Sequence, residues 1–383
     1  MTNRNDDLEL LGSLTSERAP SALEFEGPLP PADGSDLTAQ WCTEALQAGG
    51  VLGDATVTDV RSSSLGPDTP GFFGVLSRLH LTYDRPGAGP ATVVAKRNSP
   101  EEFNRAIASS MGYYERECRV YRELAPALPL RMATSYYCAL DADRFVLLME
   151  DLGAARVGRQ SSATSVADVA AALDEIAKLH GRFLAPDSLA ALTWISPLDA
   201  NAAVFDAALS TRWPGFAEHA ARTIRPEALR AAEQLLGRMA DVIKHLSSGP
   251  VTLVHGDYRI DNVMFDLPPD PQRPLIIDWQ AIAVGHGVFD VAQLIALSLE
   301  PATRRAVERE LLERYAASGE NESGASVSRD DLYEAYRLAL TFPLAVGIAQ
   351  SDMDTQQAGS DTEIWVQRAS EAVADHGLPD WLR

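Results

Sequence analysis

The sequence predicts an α+β protein in two lobes, a small antiparallel β lobe followed by a larger, mainly helical one. Three observations carry this. Apolar and polar residues alternate in short stretches between Thr56 and Arg97, which is the period of strands. From about residue 288 onward apolar residues recur at helical spacing, in segments near 288–299, 302–317, 329–349 and 361–376. Between these regions two short apolar runs each end on a carboxylate loop, Val251–Val254 before His255-Gly256-Asp257 and Leu275–Ile277 before Asp278. The expected organisation is a flexible arm over 1–35, an N-terminal lobe over 36–150 and a C-terminal lobe over 151–383.

Composition narrows the function classes. A hydrophobic content of 46% over 383 residues supports full cores. The excess of 54 acidic over 33 basic residues, a formal charge of -21, argues against a nucleic-acid partner, which would need a basic footprint. The cysteines Cys42, Cys118 and Cys138 form no C-x-x-C pair, so neither a zinc site nor a disulfide framework is indicated, and a reducing cytoplasm fits. The opening MTNRNDDLELL has no apolar core and does not read as a signal peptide. The longest uncharged apolar run, Leu338–Ala349, is too short to span a membrane and contains Pro343. No membrane association is expected, and a monomer or homodimer is.

The elements follow in order. Residues 1–35 are rich in Pro, Ser and Gly and read as a loosely attached arm. Asp36–Gln47 carries Leu37, Trp41, Ala45 and Leu46 near one face, and Gly49-Gly50 ends this helix. Strands are expected over Thr56–Leu65, Val75–Asp84 and Ala91–Arg97. A glycine-containing loop with Gly66, Gly71 and Gly74 joins the first two, and Lys96 lies near the end of the third. Phe103–Leu124 reads as one helix, with Met111, Tyr114, Cys118 and Tyr121 on a stripe and Glu117 beside it. Phe145–Met149 is a buried strand leading into Glu150-Asp151-Leu152-Gly153, and 154–164 is a polar loop. Ser165 with Asp168 suits a capping box for the next helix, on whose apolar face His180 reads as a hydrogen-bonded core histidine. Short helices or loops are expected over Trp194–Phe216, and one helix from Pro226 to Leu246.

The chemistry concentrates in the two carboxylate loops. Phosphoryl transfer needs one carboxylate beside the attacking hydroxyl, and a carboxylate plus an amide oxygen for Mg²⁺. Asp257, with Asn262 five positions on and Asp278 after a hairpin, supplies those groups in that order. Arg259 fits either a positive charge for phosphate or an ion pair within the loop. His255 reads as bonded to loop backbone.

The pattern H-G-D-Y-R-I-D-N followed by I-I-D-W-Q resembles the catalytic and metal loops of kinase-like phosphotransferases: aminoglycoside phosphotransferases, choline kinases and, nearest through D-W-Q, the ecdysteroid-kinase-like group. The resemblance implies a bilobal protein-kinase-like fold and Mg²⁺-dependent transfer of the γ-phosphate of ATP, or GTP, to a hydroxyl of a small molecule. It casts Asp257 as base, with Arg259 beside it, and Asn262 and Asp278 as metal ligands. Lys96 is cast on the α- and β-phosphates. Glu117, in the family's E-x-x-x-Y pattern, is its partner. Gly66, Gly71 and Gly74 fall where a loop covers the phosphates. Glu150 and Leu152 fall in the hinge, whose main chain grips adenine. Asp290, in G-V-F-D, is expected to brace the catalytic loop. Gly256 in place of the arginine of H-R-D, Trp279-Gln280 in place of Phe-Gly and the lack of A-P-E separate the chain from protein kinases.

The acceptor is less defined. Asp352, Asp354, Asp361 and Glu363 fit either an amine-binding face or a solvated loop. Trp365, Tyr336 and Phe342 fit either a pocket for a bulky alcohol or core.

Overall fold

The computed structural model describes residues 25–32, 36–65, 73–162, 164–220, 224–351 and 361–382. These fall into two compact units. One holds the residues up to Ala127 together with Met132–Gly153; the other holds Leu128–Arg131 and the residues from Ala154 on.

In the first unit, α1 (Ala39–Ala48) starts at Thr38, whose side chain accepts the Trp41 N–H and caps the helix. Five antiparallel strands follow: β1 (Val57–Ser64), β2 (Gly74–Tyr83), β3 (Thr92–Asn98), β4 (Ser135–Asp141) and β5 (Arg144–Glu150), in the order β1-β2-β3-β5-β4. The two-residue period sorts their faces. Leu79, Leu81, Val93, Ala95, Val146 and Leu148 form a core with Cys42, Ala45 and Leu46 of α1. Lys96, Leu147 and Cys138 make one cross-strand row on the other face.

Several expectations for this unit are corrected. The single helix over Phe103–Leu124 is α2 (Glu102–Ser110), α3 (Tyr113–Arg119) and a π-helical turn, Val120–Leu124. Gly112, at φ +69°, turns left-handed between the first two, a conformation glycine adopts without steric cost. Cys118 of α3 and Cys138 of β4 form a disulfide, so the cysteines do pair, and their lack of a partner no longer supports a reducing compartment. Their pairing is tertiary, between a helix and a strand, and no short spacing records it. Cys42 is free and buried, its thiol pushed up to about 12 by desolvation. The described part of the expected arm is tied down. Tyr137 Oη donates to Pro28 O at 2.6 Å and Trp41 Nε1 to Leu29 O at 2.9 Å.

In the second unit, the expected polar loop after Gly153 includes β6 (Arg156–Val157). It joins β8 (Val263–Phe265) and β9 (Leu275–Ile276) in a sheet of order β6-β8-β9. β7 (Val251–Val254) pairs antiparallel with an unexpected β10 (Ala283–His286). Ser165 caps α4 (Val166–Arg182) through the Asp168 N–H, as expected. The short pieces expected over Trp194–Phe216 include one long helix, α5 (Ala202–Ala220). The helix expected from Pro226 to Leu246 divides at Gly237, φ +70°, into α6 (Pro226–Leu235) and α7 (Met239–Leu246). All of α8 (Val288–Ser298) is buried, its apolar residues spread around the helix and its polar Asp290 and Gln293 hydrogen-bonded. Then come α9 (Pro301–Ser323), α10 (Arg329–Ala339), α11 (Thr341–Gln350) and α12 (Asp361–His376). Pro343 lies in the first turn of α11, where its missing N–H costs nothing, so the expected 329–349 helix is two. Among the described residues no helix is long and apolar enough to cross a membrane.

Candidate functional site

Site residues expected from the sequence occur in both units. In the first, Lys96 stands on β3, on the face turned away from α1. Its Nζ lies 2.8 Å from Glu117 Oε1 and 2.7 Å from Oε2. Both residues are buried, Lys96 at 8% and Glu117 at 1% exposure. The neighbouring residue of α3, Cys118, is bonded to Cys138, in the same cross-strand row as Lys96. Consecutive residues of α3 are thus fastened to one row of the sheet, by an ion pair and by a covalent bond.

The other residues expected to contact nucleotide are more dispersed. Gly66 and Gly71 lie outside the described residues. Gly74 begins β2, and a Cβ there would stand 2.9 Å from Arg97 O, so this glycine permits strand pairing. At the expected hinge the Glu150 N–H already donates to Thr134 O at 2.8 Å, and Glu150 Oε2 accepts from Thr134 N and Oγ1, both at 3.2 Å. Leu152 is buried. Asp151 between them accepts from Arg78 Nε and Nη2 at 2.7 and 3.1 Å, a brace that sequence reading missed.

In the second unit, β7 delivers the chain to His255-Gly256-Asp257. Asp290, at the start of α8, accepts from the backbone N–H of His255 at 2.6 Å and of Gly256 at 3.0 Å. His180 Nε2 lies 3.2 Å from the same carboxylate, and its Nδ1 is 3.0 Å from the Tyr315 hydroxyl. His180 is therefore the hydrogen-bonded core histidine expected, and Asp290 the expected brace. His255 links the two loops: its Nε2 donates to Ile277 O at 2.9 Å, and its Nδ1 accepts the Asp257 N–H at 3.3 Å. Its ring packs edge-on against Trp279, which is fully buried with Nε1 donating to Ile276 O.

Asp257 is held on two sides. Arg259 Nε donates to Oδ1 at 2.8 Å and Nη2 to Oδ2 at 3.4 Å. Asn262 Nδ2 donates to Asp257 O at 2.8 Å and to Oδ2 at 3.2 Å. Burial pushes the Asp257 carboxyl up, but the Arg259 charge and hydrogen bond, with His255 and Asn262, outweigh it and hold it below the usual range. Arg259 thus makes an ion pair within the loop, one of the two alternatives its position left open. Asp261 behaves oppositely. Burial raises its carboxyl, Arg259 and the Gln160 N–H oppose this, and Asp361 adds repulsion.

Asn262 and Asp278 are brought close by the hairpin. Val263 pairs with Ile276, and the Ile277 N–H donates to Asn262 O at 3.0 Å. Asp278 takes a left-handed conformation, φ +65°, and Gln280 Nε2 lies 3.4 Å from its Oδ2. Among the described residues no cluster of three or more His, Cys, Asp or Glu forms a protein cage for a metal. The donor set fits Mg²⁺ nonetheless. That ion commonly takes one or two protein oxygens and fills its octahedron with phosphate and water. Asn262 spends its Nδ2 on Asp257, which leaves the carbonyl end of the amide for a cation.

Residues toward the C-terminus complete the surroundings. Asp352 and Asp354 lie outside the described residues, while Asp361 and Glu363 occupy the first turn of α12. Tyr336 and Phe342 are core, Phe342 packing on Phe289 and Phe205. Trp365 is buried as well, and the Arg259 guanidinium lies over its ring at 5.0 Å. Nothing in local sequence pairs residues so far apart.

The family model described as ecdysteroid kinase-like matches residues 69–320, a span that includes Lys96, Glu117, Asp257, Asn262 and Asp278. Among solved structures, the GDP and kanamycin complex of APH(2")-IIia is 13% identical, over 84% of this chain and 94% of that one, with a TM-score of 0.51. A choline/ethanolamine kinase family protein from Mesorhizobium loti is 14% identical over 83% and 89%, TM-score 0.49. A microcompartment-associated aminopropanol kinase is 16% identical over 87% and 98%, TM-score 0.48. No curated protein matches the chain. The α+β fold is kinase-like, with its small sheet and its mainly helical part in separate units.

Proposed function

This chain belongs to the ecdysteroid kinase-like family, and on that footing we propose that it transfers the terminal phosphoryl group of ATP or GTP to a hydroxyl of a small molecule. The observation that carries the reading is the state of Asp257. Its carboxylate is kept ionised by Arg259 and Asn262, on a loop bonded through His255 to the strand that leads into Asp278. Asp257 orients the acceptor hydroxyl and takes its proton as the acceptor oxygen bonds to the terminal phosphorus. The bond from that phosphorus to the bridging oxygen breaks, and the nucleoside diphosphate leaves with that electron pair. Asn262 and Asp278 would hold Mg²⁺, which when bound neutralises charge on the phosphates. Lys96, kept extended by Glu117, supplies positive charge to the donor phosphates. The glycine loop (Gly66, Gly71, Gly74) and the Glu150–Leu152 main chain contribute to nucleotide binding.

The acceptor is a small molecule; nucleic acid and membrane are not partners in this reading, and the chain acts in the cytoplasm as a monomer or homodimer. The test is release of ADP or GDP, with Mg²⁺ present, across a panel of alcohols, aminoglycosides and sterols. Stimulation by an acceptor, abolished in Asp257→Ala, supports the proposal. Nucleotide binding with no acceptor raising release above the Asp257→Ala background would instead indicate a catalytically silent nucleotide-binding module.

A further inference from the structure

Arg259 has more than one carboxylate to choose from. Asp257 holds it by a two-point contact, while Asp261 Oδ2 lies 3.9 Å from its Nη1 and the charge of Asp278 also reaches it. A guanidinium on a flexible stem, about 24% exposed, has no intrinsic reason to stay on the first of these. Trp365 supplies one. Its indole Nε1 donates to Pro343 O at 2.6 Å, and Gly347 lies so close beneath it that a Cβ there would meet Trp365 Cδ1 at 2.9 Å. The ring is therefore fixed by α11, and its face receives the Arg259 guanidinium. A tryptophan face is the strongest aromatic partner for such a cation.

We propose that Trp365 is a positioning residue for the reaction: it seats Arg259 on Asp257 rather than on Asp261, and so sets which carboxylate oxygen receives the acceptor. Within Asp257, Oδ2 takes donors from Arg259 and Asn262, whereas Oδ1 takes one, from Arg259 Nε. Each carboxylate oxygen accepts two hydrogen bonds, so Oδ1 keeps a lone pair for the acceptor hydroxyl while Arg259 stays in place. Trp365 lies beyond residues 69–320 matched by the family, so this seat is contributed by a segment outside the span that carries the reacting groups. The proposal rests on the phosphotransfer reading for its consequence, but the seating itself does not.

Two measurements on the full chain separate them. The first is Mg²⁺-dependent hydrolysis of ATP and GTP, with water as acceptor, for wild type, Trp365→Phe, Trp365→Leu and Asp257→Asn. Loss of the aromatic face should lower kcat in Trp365→Leu about tenfold with KM for nucleotide within twofold, and Trp365→Phe should recover turnover to within about threefold of wild type. The second is the Arg259 Nε–H resonance, assigned by its disappearance in Arg259→Lys. It should be slow to exchange in wild type and Trp365→Phe, and fast in Trp365→Leu. If Trp365→Leu melts below the assay temperature, Trp365→Met fills the space without a ring and is read in the same way. A protected Arg259 resonance in Trp365→Leu or Trp365→Met overturns the proposal, as does wild-type kcat in those variants while Asp257→Asn is inactive. Should wild type not hydrolyse nucleotide, the exchange measurement alone decides whether Trp365 seats Arg259, and acceptor-stimulated release decides the phosphotransfer reading.

Discussion

Gly256 passes Ala281 so closely that a Cβ at position 256 would stand 2.1 Å from the Ala281 carbonyl oxygen, and its φ is +86°. The two residues belong to the loops that carry Asp257 and Asp278, so their approach sets how near these loops come. Asp290 and Gln293 hold the two peptides flanking Gly256 from α8, the first through the Gly256 N–H and the second 3.4 Å from the Gly256 carbonyl. This gives a physical reason for H-G-D in place of H-R-D: no side chain fits.

Gly256→Ala should therefore be among the most damaging small changes in the chain. A left-handed alanine costs about 1–2 kcal/mol before any clash is counted. The carbonyl it meets is backbone and cannot swing away, so the loops must separate. Urea unfolding should show a loss of at least about 2 kcal/mol, with nucleotide turnover abolished. A variant of wild-type stability would mean that the loops do not approach as described.

Lys96 and Glu117 should behave as a coupled pair. Removing one charge strands the other in a buried site, at about 3–5 kcal/mol. Lys96→Met and Glu117→Gln should each destabilise by an amount of that order, and the double variant by clearly less than the sum. Additive losses in denaturant melts would show that the two charges do not rely on each other.

The Cys118–Cys138 bond closes a loop of 20 residues' separation that starts at the residue after Glu117. Cross-links of this span commonly stabilise by about 3 kcal/mol, chiefly by restricting the unfolded chain. Treatment with a dithiol reductant should lower the melting temperature of wild type and leave Cys118→Ser/Cys138→Ser unaffected. Intact-mass measurement before and after reduction checks that the bond is present.

His286 should make the second unit sensitive to acid. Burial, with the charges of His180 and His245, holds its pKa at about 4, down from 6.5. As pH falls, the unfolded chain takes up the proton first, so stability is complete above about 6.5 and declines toward 4. Between pH 7 and pH 5 this one group should remove about 1–2 kcal/mol. His286→Asn, which keeps an acceptor for the Val288 N–H, should lose less over that interval; an identical decline in both proteins would assign the effect elsewhere.

What the sequence determined by itself was whatever is written in local order. Strand alternation over 56–97, the Ser165 cap and the spacing of Asp257 and Asn262 all act within a few residues of one another, so period and capping chemistry reveal them. Local reading also erred locally: Gly112 and Gly237 break helices by turning left-handed, which an apolar period does not record, and β6 and β10 are too short to carry a period. Only the tertiary structure decided which distant groups share a contact. Cys118 meets Cys138, Asp151 holds Arg78, and Trp365 lies under Arg259 because a helix, a sheet row or the C-terminal segment packs there. Such contacts are enforced by core packing, which depends on residues throughout each unit, and no window of sequence contains it.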